Sequence, residues 1–302
     1  DQTAADALSR VRSAGLRSRE VHVVPVTDHR RRFVGVVDLP DLVTAAIGTP
    51  VGELIRFDTY SVRVDEDREV AARLMQEADL VALPVVDAED RLAGLITVDD
   101  AMEILESEDT EDIHRVGGVA PLDVAYMDAS VLQHARKRGM WLLVLIVAAA
   151  STITIMEAFE DELAAVHVLA FFIPLLVDTG GNAGTQASTL VIRAMAVGEV
   201  RFSDLSRILH RELRIGLLLG LALGSVSFVI ISLLYGRDLG VVVAVTLVAI
   251  CTWASFAGGL LPLLAKRLGV DPAVISGPLI TTVVDATGLI IYFLVAGVVL
   301  GL

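Results

Sequence analysis

From residue 139 to the C-terminus the chain is built of long runs without charge, and this pattern limits its fold more than any other feature. Arg138 and Glu157 bracket the apolar run Trp141–Met156. A second run lies between Glu162 and Arg193. Arg214 to Arg237 encloses 22 uncharged residues and Asp238 to Lys266 encloses 27. The last run extends from Pro272 to Leu302, broken only by Asp285. A helix needs about 20 apolar residues to cross a bilayer, so five spans are predicted over 139–302.

Residues 1–138 are different in kind. They carry 27 acids against 16 bases, a net charge of −11, whereas residues 139–302 carry 11 acids and 8 bases. The first part reads as an acidic soluble unit, the second as an all-α polytopic membrane domain. An acidic soluble unit argues against nucleic acid as a partner, because phosphate neutralisation needs clustered bases. It is compatible with cation binding. The single cysteine, Cys251, excludes an internal disulfide. The chain begins at Asp1 rather than Met, so sequence ahead of it is expected.

The soluble part contains a repeat. VPVTDHRRRFVGVVDLPDLV (24–43) and LPVVDAEDRLAGLITVDDAM (83–102) match at a constant offset of 59 residues. The offset pairs Pro25 with Pro84, Asp28 with Asp87, Arg32 with Arg91, Gly35 with Gly94 and Asp41 with Asp100. A repeat of this length means two copies of one supersecondary unit. Each copy reads as strand, D-x-x-x-R turn, strand, helix, so the soluble fold class is α+β. The repeat resembles a pair of CBS domains over about 20–112, with residues 1–19 left as a helical remnant or linker. In that family the G-h-h-T-x-x-D signature, here Gly94–Asp100, often holds the ribose of an adenine nucleotide. The resemblance therefore implies ATP at Thr97 and Asp100. The same two residues also read as a helix N-cap, and the roles can coexist.

DDAMEILESEDTED (99–112) holds eight acids and no base. Like charges at i, i+3 and i+4 destabilise a helix, so something must offset them. Solvent and salt are one answer. Divalent cations shared with Asp67, Glu69 and Asp79 are another, since hard cations prefer carboxylate oxygens. Gly117, Gly118 and Pro121 break the helix that follows. Asp128 or Ser130 could then cap a short helix into Arg136–Arg138, giving a linking segment over 113–138.

Lys and Arg set the orientation. Arg136–Arg138, Arg201–Arg214 and Lys266–Arg267 fall on one face if the spans alternate. The soluble part is then cytoplasmic and the C-terminus extracellular, in a multi-pass cell-membrane protein. Two carboxylates fall within spans, Asp178 and Asp285. A mid-bilayer charge is costly and usually faces a bundle interior or a wet path. Gly277, Pro278 and Gly288 are expected to loosen the helix around Asp285 and free carbonyls, with Thr281 one turn away. In D-T-G-G-N-A-G-T-Q (178–186), Gly180, Gly181 and Gly184 allow close helix packing. Asn182 and Gln186 share a helix face, and Pro174 is expected to kink the entry. The run lacks the lysine of a phosphate-binding P-loop.

These motifs together, P-x-x-x-D-x-G-G-N-x-G-x-Q (174–186), T-L-V-I-R-A (189–194) and D-P-A…S-G-P-x-x-T-T-x-x-D (271–285), resemble the MgtE family of magnesium channels and transporters. The family usually has a helical domain ahead of the CBS pair, which has no counterpart here. The resemblance implies a homodimer with one pore lined by spans 2 and 5. Asp285 would recognise hydrated Mg²⁺, with Asn182 and Thr281 beside it, and Asp178, Gly181, Gln186, Gly277, Pro278 and Gly288 would line the path. Regulatory Mg²⁺ is implied at Asp67, Glu69, Asp79, Asp100, Glu103, Glu108, Glu111 and Asp112, and a plug helix at about 122–138. The expected function is Mg²⁺ uptake gated by cytosolic Mg²⁺. The alternative is a nucleotide-regulated transporter of Mn²⁺, Co²⁺ or Ni²⁺, or a coupled cation exchanger. No nucleophile triad, His/Cys cluster or P-loop supports an enzyme.

Overall fold

The computed structural model of the chain describes residues 2–14, 22–122, 124–275 and 277–302. It divides into two compact units, residues 1–110 and 111–302. The boundary expected at residues 19 and 20 lies outside the described residues.

In the first unit the repeat is realised as two antiparallel hairpins, β1 (Val23–Thr27) with β2 (Phe33–Asp38) and β4 (Ala82–Val86) with β5 (Leu92–Thr97). Both ladders slip at equivalent places, between Val26 and Thr27 and between Val85 and Val86. Both turns are built the same way. Asp28 Oδ1 accepts from the amides of Arg30 (2.7 Å) and Arg32 (2.8 Å), and Asp87 Oδ1 accepts from those of Glu89 (3.0 Å) and Arg91 (2.8 Å). Such Asx-type bonds replace the missing ladder at the turn. The two turns then pair with each other: Phe33 N donates to Asp90 O (2.8 Å) and Leu92 N to Arg31 O (3.1 Å). With the 59-residue offset, this is one contact made twice about a local two-fold.

Each copy has its own core. Val62 in β3 (Val62–Arg63), Ala72 and Met75 in α3 (Arg68–Glu77), and Leu83 pack with Ala101 of α4 (Val98–Val116). Val37 packs with Leu42 of α2 (Leu39–Thr44) and Ala4 of α1 (Ala4–Ser13). Leu42 and Leu83 are fully buried, each worth about 1.5–3 kcal/mol over exposure. α1 lies in the segment expected as a helical remnant or linker, and it packs on the first copy. Thr3 and Asp6 form its capping box, Ala4 N bonds Thr49 O (2.9 Å), and Ala4 enters the first core. The helix completes the first copy.

Among the described residues of the second unit, five helices are long and apolar enough to span a membrane: Val131–Ala158, His167–Ala196, Phe202–Tyr235, Arg237–Arg267 and Gly277–Leu300. The count agrees with the sequence. Their α-helical parts are α5 (Val131–Ala158), α7 (Ile173–Ala196), α8 (Leu205–Tyr235), α9 (Arg237–Arg267) and α10 (Gly277–Leu300), with α6 (Glu160–Ala165) in the connection between the first two spans.

The linking segment differs from expectation. Residues 117–130 are non-helical where described, and no separate helix covers 113–138. Ser130 caps a helix, in a capping box with Gln133, but that helix is not short. It continues through Arg136–Arg138 into the first span, because nothing after Ser130 interrupts its backbone bonding. Pro174 and Pro278 both fall in the first turn of their α-helices, where a missing N–H costs nothing, and α7, which holds Pro174, follows directly on the 3-10 turn His167–Phe172. The Pro278 carbonyl is not freed. Thr281 and Thr282 both donate to it, each at 2.9 Å.

Lipid is as apolar as leucine, so helix association here rests on close packing of small residues. The α8–α9 seam uses Gly216, Gly220 and Gly224. A Cβ on Gly220 would lie 2.6 Å from Val248 Cα, which cannot move without the backbone. The core of the unit gathers Leu176, Ile250, Ile280, Val284, Tyr292 and Phe293, and Tyr292 donates its hydroxyl to Leu169 O (2.9 Å).

Candidate functional site

Three polar residues of α7 fall on one side of the helix, away from its buried face. Gly180, Gly181, Ala183, Gly184, Ala187 and Ser188 are buried, while Asp178, Asn182 and Gln186, spaced four apart, are exposed. The spacing of 3.6 residues per turn makes them a continuous stripe. Asn182 Nδ2 donates to Asp178 Oδ2 at 3.2 Å. This stripe lies inside an apolar span, where lipid offers no hydrogen-bond partner.

The buried side of α7 meets α10. A Cβ on Gly181 would sit 3.0 Å from Thr281 Cγ2 and 3.7 Å from Asp285 Oδ1. Glycine at 181 therefore lets the α7 backbone approach the carboxylate directly. Thr185 Oγ1 donates to Gly277 O at 3.5 Å, tying α7 to the first turn of α10. Asp285 is half-buried, one turn after Thr281 and within electrostatic reach of Asp178. So the structure gathers Asp178, Gly181, Asn182, Thr281 and Asp285 at one α7–α10 contact, with Gln186 one turn further along the exposed stripe. Gly277 lies against Thr185 near the same contact. Gly288 is placed elsewhere: it is buried, and its nearest neighbour is Ile250 of α9. Its role here is helix packing.

Sequence reasoning missed two groups of this region. Thr185, between Gly184 and Gln186, carries no sequence signal of its contact with α10. Trp253 of α9 donates Nε1–H to Thr287 Oγ1 at 2.8 Å, two residues from Asp285, and nothing in its spacing indicates this.

The acidic candidates fall into three situations. Asp67 and Asp100 serve as local caps: Asp67 Oδ1 accepts from Glu69 N (3.0 Å), and Asp100 Oδ2 accepts from Thr97 N (2.8 Å) and Oγ1 (2.6 Å). The Thr97 hydroxyl and amide hold the Asp100 carboxyl below its ordinary range. Glu69, Glu108 and Glu111 have arginine partners, Arg73 (2.7 Å), Arg68 (2.8 Å) and Arg115 respectively. Arg115 also reaches Asp271, which caps the turn leading to α10. Arginines therefore offset part of the repulsion along α4. Asp79 stands at a left-handed backbone position, φ 52°, at the end of α3, and Glu103 is exposed on α4. Asp112 shares this helix. Among the described residues, no three His, Cys, Asp or Glu side chains converge to hold a metal ion. Mg²⁺ keeps several of its waters and needs only one or two carboxylates.

Known proteins resemble this chain in sequence. The MgtE family profile, described as a divalent cation transporter, matches residues 173–295, and a CBS domain profile matches residues 51–107. A magnesium transporter MgtE of Thermus thermophilus is 42% identical over 301 residues, covering 99% of this chain and 66% of that protein. One from Enterococcus faecalis is 32% identical over 297 residues, covering 98% and 65%. The chain thus spans just under two thirds of the length of these curated relatives. Among solved structures, the cytosolic domain of the Mg²⁺ channel MgtE in complex with ATP is 38% identical, with a TM-score of 0.33, covering 34% of this chain and 42% of that one.

Proposed function

Since the chain belongs to the MgtE family of divalent cation transporters, a family of transporters rather than enzymes, we propose that it carries Mg²⁺ across the cell membrane through a pore formed by two copies. One observation carries this reading. Asp178, Asn182 and Gln186 form an exposed polar stripe within an apolar span, beside the half-buried Asp285. Exposed to lipid, such a stripe would leave its hydrogen-bonding groups unsatisfied at several kcal/mol each. Facing a second copy across a wet path, it is solvated, and each copy brings one Asp285.

In this reading Asp285 attracts the cation without stripping its water, since one carboxylate per copy suits a hydrated Mg²⁺. Asn182 and the backbone at Thr281 contact the hydration shell. Thr281 and Thr282, by binding the Pro278 carbonyl, hold the first turn of α10 in shape. The distribution of Lys and Arg supports an orientation with the soluble unit in the cytoplasm and the C-terminus outside. Carboxylates at Asp67, Glu69, Asp79, Asp100, Glu103, Glu108, Glu111 and Asp112 bind Mg²⁺ weakly and together. That binding favours the closed state when cytosolic Mg²⁺ is high, by its differential affinity for the two states. ATP at the CBS pair is part of the same proposal. A ribose at Thr97 and Asp100 would compete for the oxygens that now cap α4, so Asp100→Asn should weaken ATP binding in calorimetry.

Flux into liposomes loaded with a Mg²⁺ indicator tests the pore. Asp285→Ala should abolish uptake while leaving the oligomer seen in size-exclusion chromatography unchanged. Normal uptake by that variant would remove Asp285 from the path. Competition by Mn²⁺, Co²⁺ and Ni²⁺ in the same vesicles distinguishes Mg²⁺ from another divalent substrate.

A further inference from the structure

The membrane-facing side of α8 carries a group of cations that the ion path does not use. Arg207, His210, Arg211 and Arg214 recur at spacings of three and four residues and are all exposed. That spacing puts them on one face of the helix. The other face, with Ile208, Glu212, Gly216, Gly220 and Gly224, is buried. Glu212, the nearest acid on α8, belongs to that buried face, against Gly259. Among the described residues, none of the three arginines makes an ion pair. Arg267, at the end of α9, is used otherwise, stacked 4.6 Å over the Phe202 ring. His210 Nδ1 donates to Ser206 O at 2.7 Å, which holds the ring in place and leaves Nε2 available.

Helix length fixes the depth of this group. Residues 215–235 carry no charge, and at 1.5 Å per residue they extend roughly 30 Å, the thickness of a hydrocarbon core. Arg214 then stands at the boundary, and Arg211, His210 and Arg207 stand one to two turns further out, at headgroup level. Beyond Arg214 the same face continues with exposed Ile215, Leu218, Leu221 and Val229. A surface cationic at headgroup depth and apolar at acyl-chain depth matches one kind of partner.

We propose that this face of α8 binds an anionic phospholipid of the cytoplasmic leaflet. The arginines contact its phosphate, and the leucine and valine side chains contact its acyl chains. The inference rests on the proposed orientation of the spans. It does not depend on which ion is carried.

Purified protein in mixed micelles, titrated with phosphatidylglycerol and read by lipid retention in native mass spectrometry, tests it. Wild type should retain phosphatidylglycerol and not phosphatidylcholine. R207Q/R211Q/R214Q should bind on the order of a hundredfold more weakly, at about fivefold for each cation removed. R207K/R211K/R214K keeps the charge and should bind nearly as wild type. R237Q, at the other end of the span, should change nothing. Should the triple glutamine variant fail to fold, R211Q alone is read for its loss of about fivefold. Equal retention of both lipids, equal binding by the glutamine variants, or an equal loss in R237Q would overturn the proposal. So would displacement of the lipid by millimolar inorganic phosphate, which would reassign the face to a soluble anion. If the face were covered by acidic residues of this protein, retention would not respond to lipid charge, and the proposal would fall. Loss of flux in Asp285→Ala is independent of all these outcomes.

Discussion

At the scale of single residues, the two turn aspartates show how much a side chain can do without being buried. The Arg32 amide, helped by that of Arg30, holds the Asp28 carboxyl below its ordinary range, and the amides of Arg91 and Glu89 do the same for Asp87. A depressed carboxylate stabilises the fold fully above the unfolded value of about 4 and loses that contribution as pH falls through the folded value. Thermal unfolding of the full chain should therefore show an acid limb beginning near pH 4. Asp28→Asn with Asp87→Asn should flatten that limb, and an unchanged limb would refute the role of the turns. These aspartates were legible in the sequence, because the 59-residue offset repeats both the acid and the arginine four residues on. Asp285 was legible for another reason: a carboxylate in an apolar run has few harmless explanations. Thr185 was not legible. A threonine within a helix ordinarily bonds its own backbone, and only the packing of α7 on α10 turns its hydroxyl to Gly277 O.

At the scale of elements, the α8–α9 seam was written in the spacing of Gly216, Gly220 and Gly224, yet a count of apolar runs passes over it. Hydropathy finds spans, whereas small residues at intervals of four find the faces where spans meet. Gly220→Val would force carbon against the Val248 backbone, at a cost of about 1–3 kcal/mol from overpacking. Unfolding in detergent should show a clearly lower transition temperature. Ala222→Val, on the exposed side of the same helix, should leave it nearly unchanged. Equal behaviour of the two would mean that the seam tolerates bulk. The linking segment shows the opposite lesson. Gly117 and Gly118 marked where α4 ends, and Ser130 marked where the next helix starts. Arg136–Arg138 resembled a boundary because charge usually ends a span. Long cationic side chains can instead reach the headgroups while their backbone stays helical, so α5 runs through them. The arginine partners of α4 were hidden for a simpler reason. Arg68 is 40 residues from Glu108 in sequence, and only the folded first unit brings them to 2.8 Å.

At the scale of the whole molecule, the division of charge becomes a property that can be measured. The soluble part carries most of the net negative charge of −14, and its acids concentrate on α4. Two effects of added Mg²⁺ can be separated there. General screening depends on ionic strength and acts equally through monovalent salt, with a Debye length of about 8 Å at physiological strength. Bound divalent ions depend on Mg²⁺ itself. If regulation is by binding, raising Mg²⁺ on the side of the soluble unit into the millimolar range should slow flux. Potassium chloride at equal ionic strength should not. D100N/E103Q/E108Q/E111Q should keep conducting at high Mg²⁺, because the carboxylates that distinguish the two states are gone. That variant also leaves Arg68 and Arg115 without their glutamates, so R68Q/R115Q is the matched control. It removes those two ion pairs, and the Arg115–Asp271 pair with them, but spares the acids, and it should still close, at a Mg²⁺ concentration no higher than wild type, because cations no longer compete with arginine for Glu108 and Glu111. Closure of the fourfold variant at the wild-type concentration would reject regulation through these acids. Failure of both variants to close would assign the effect to the arginine pairs instead.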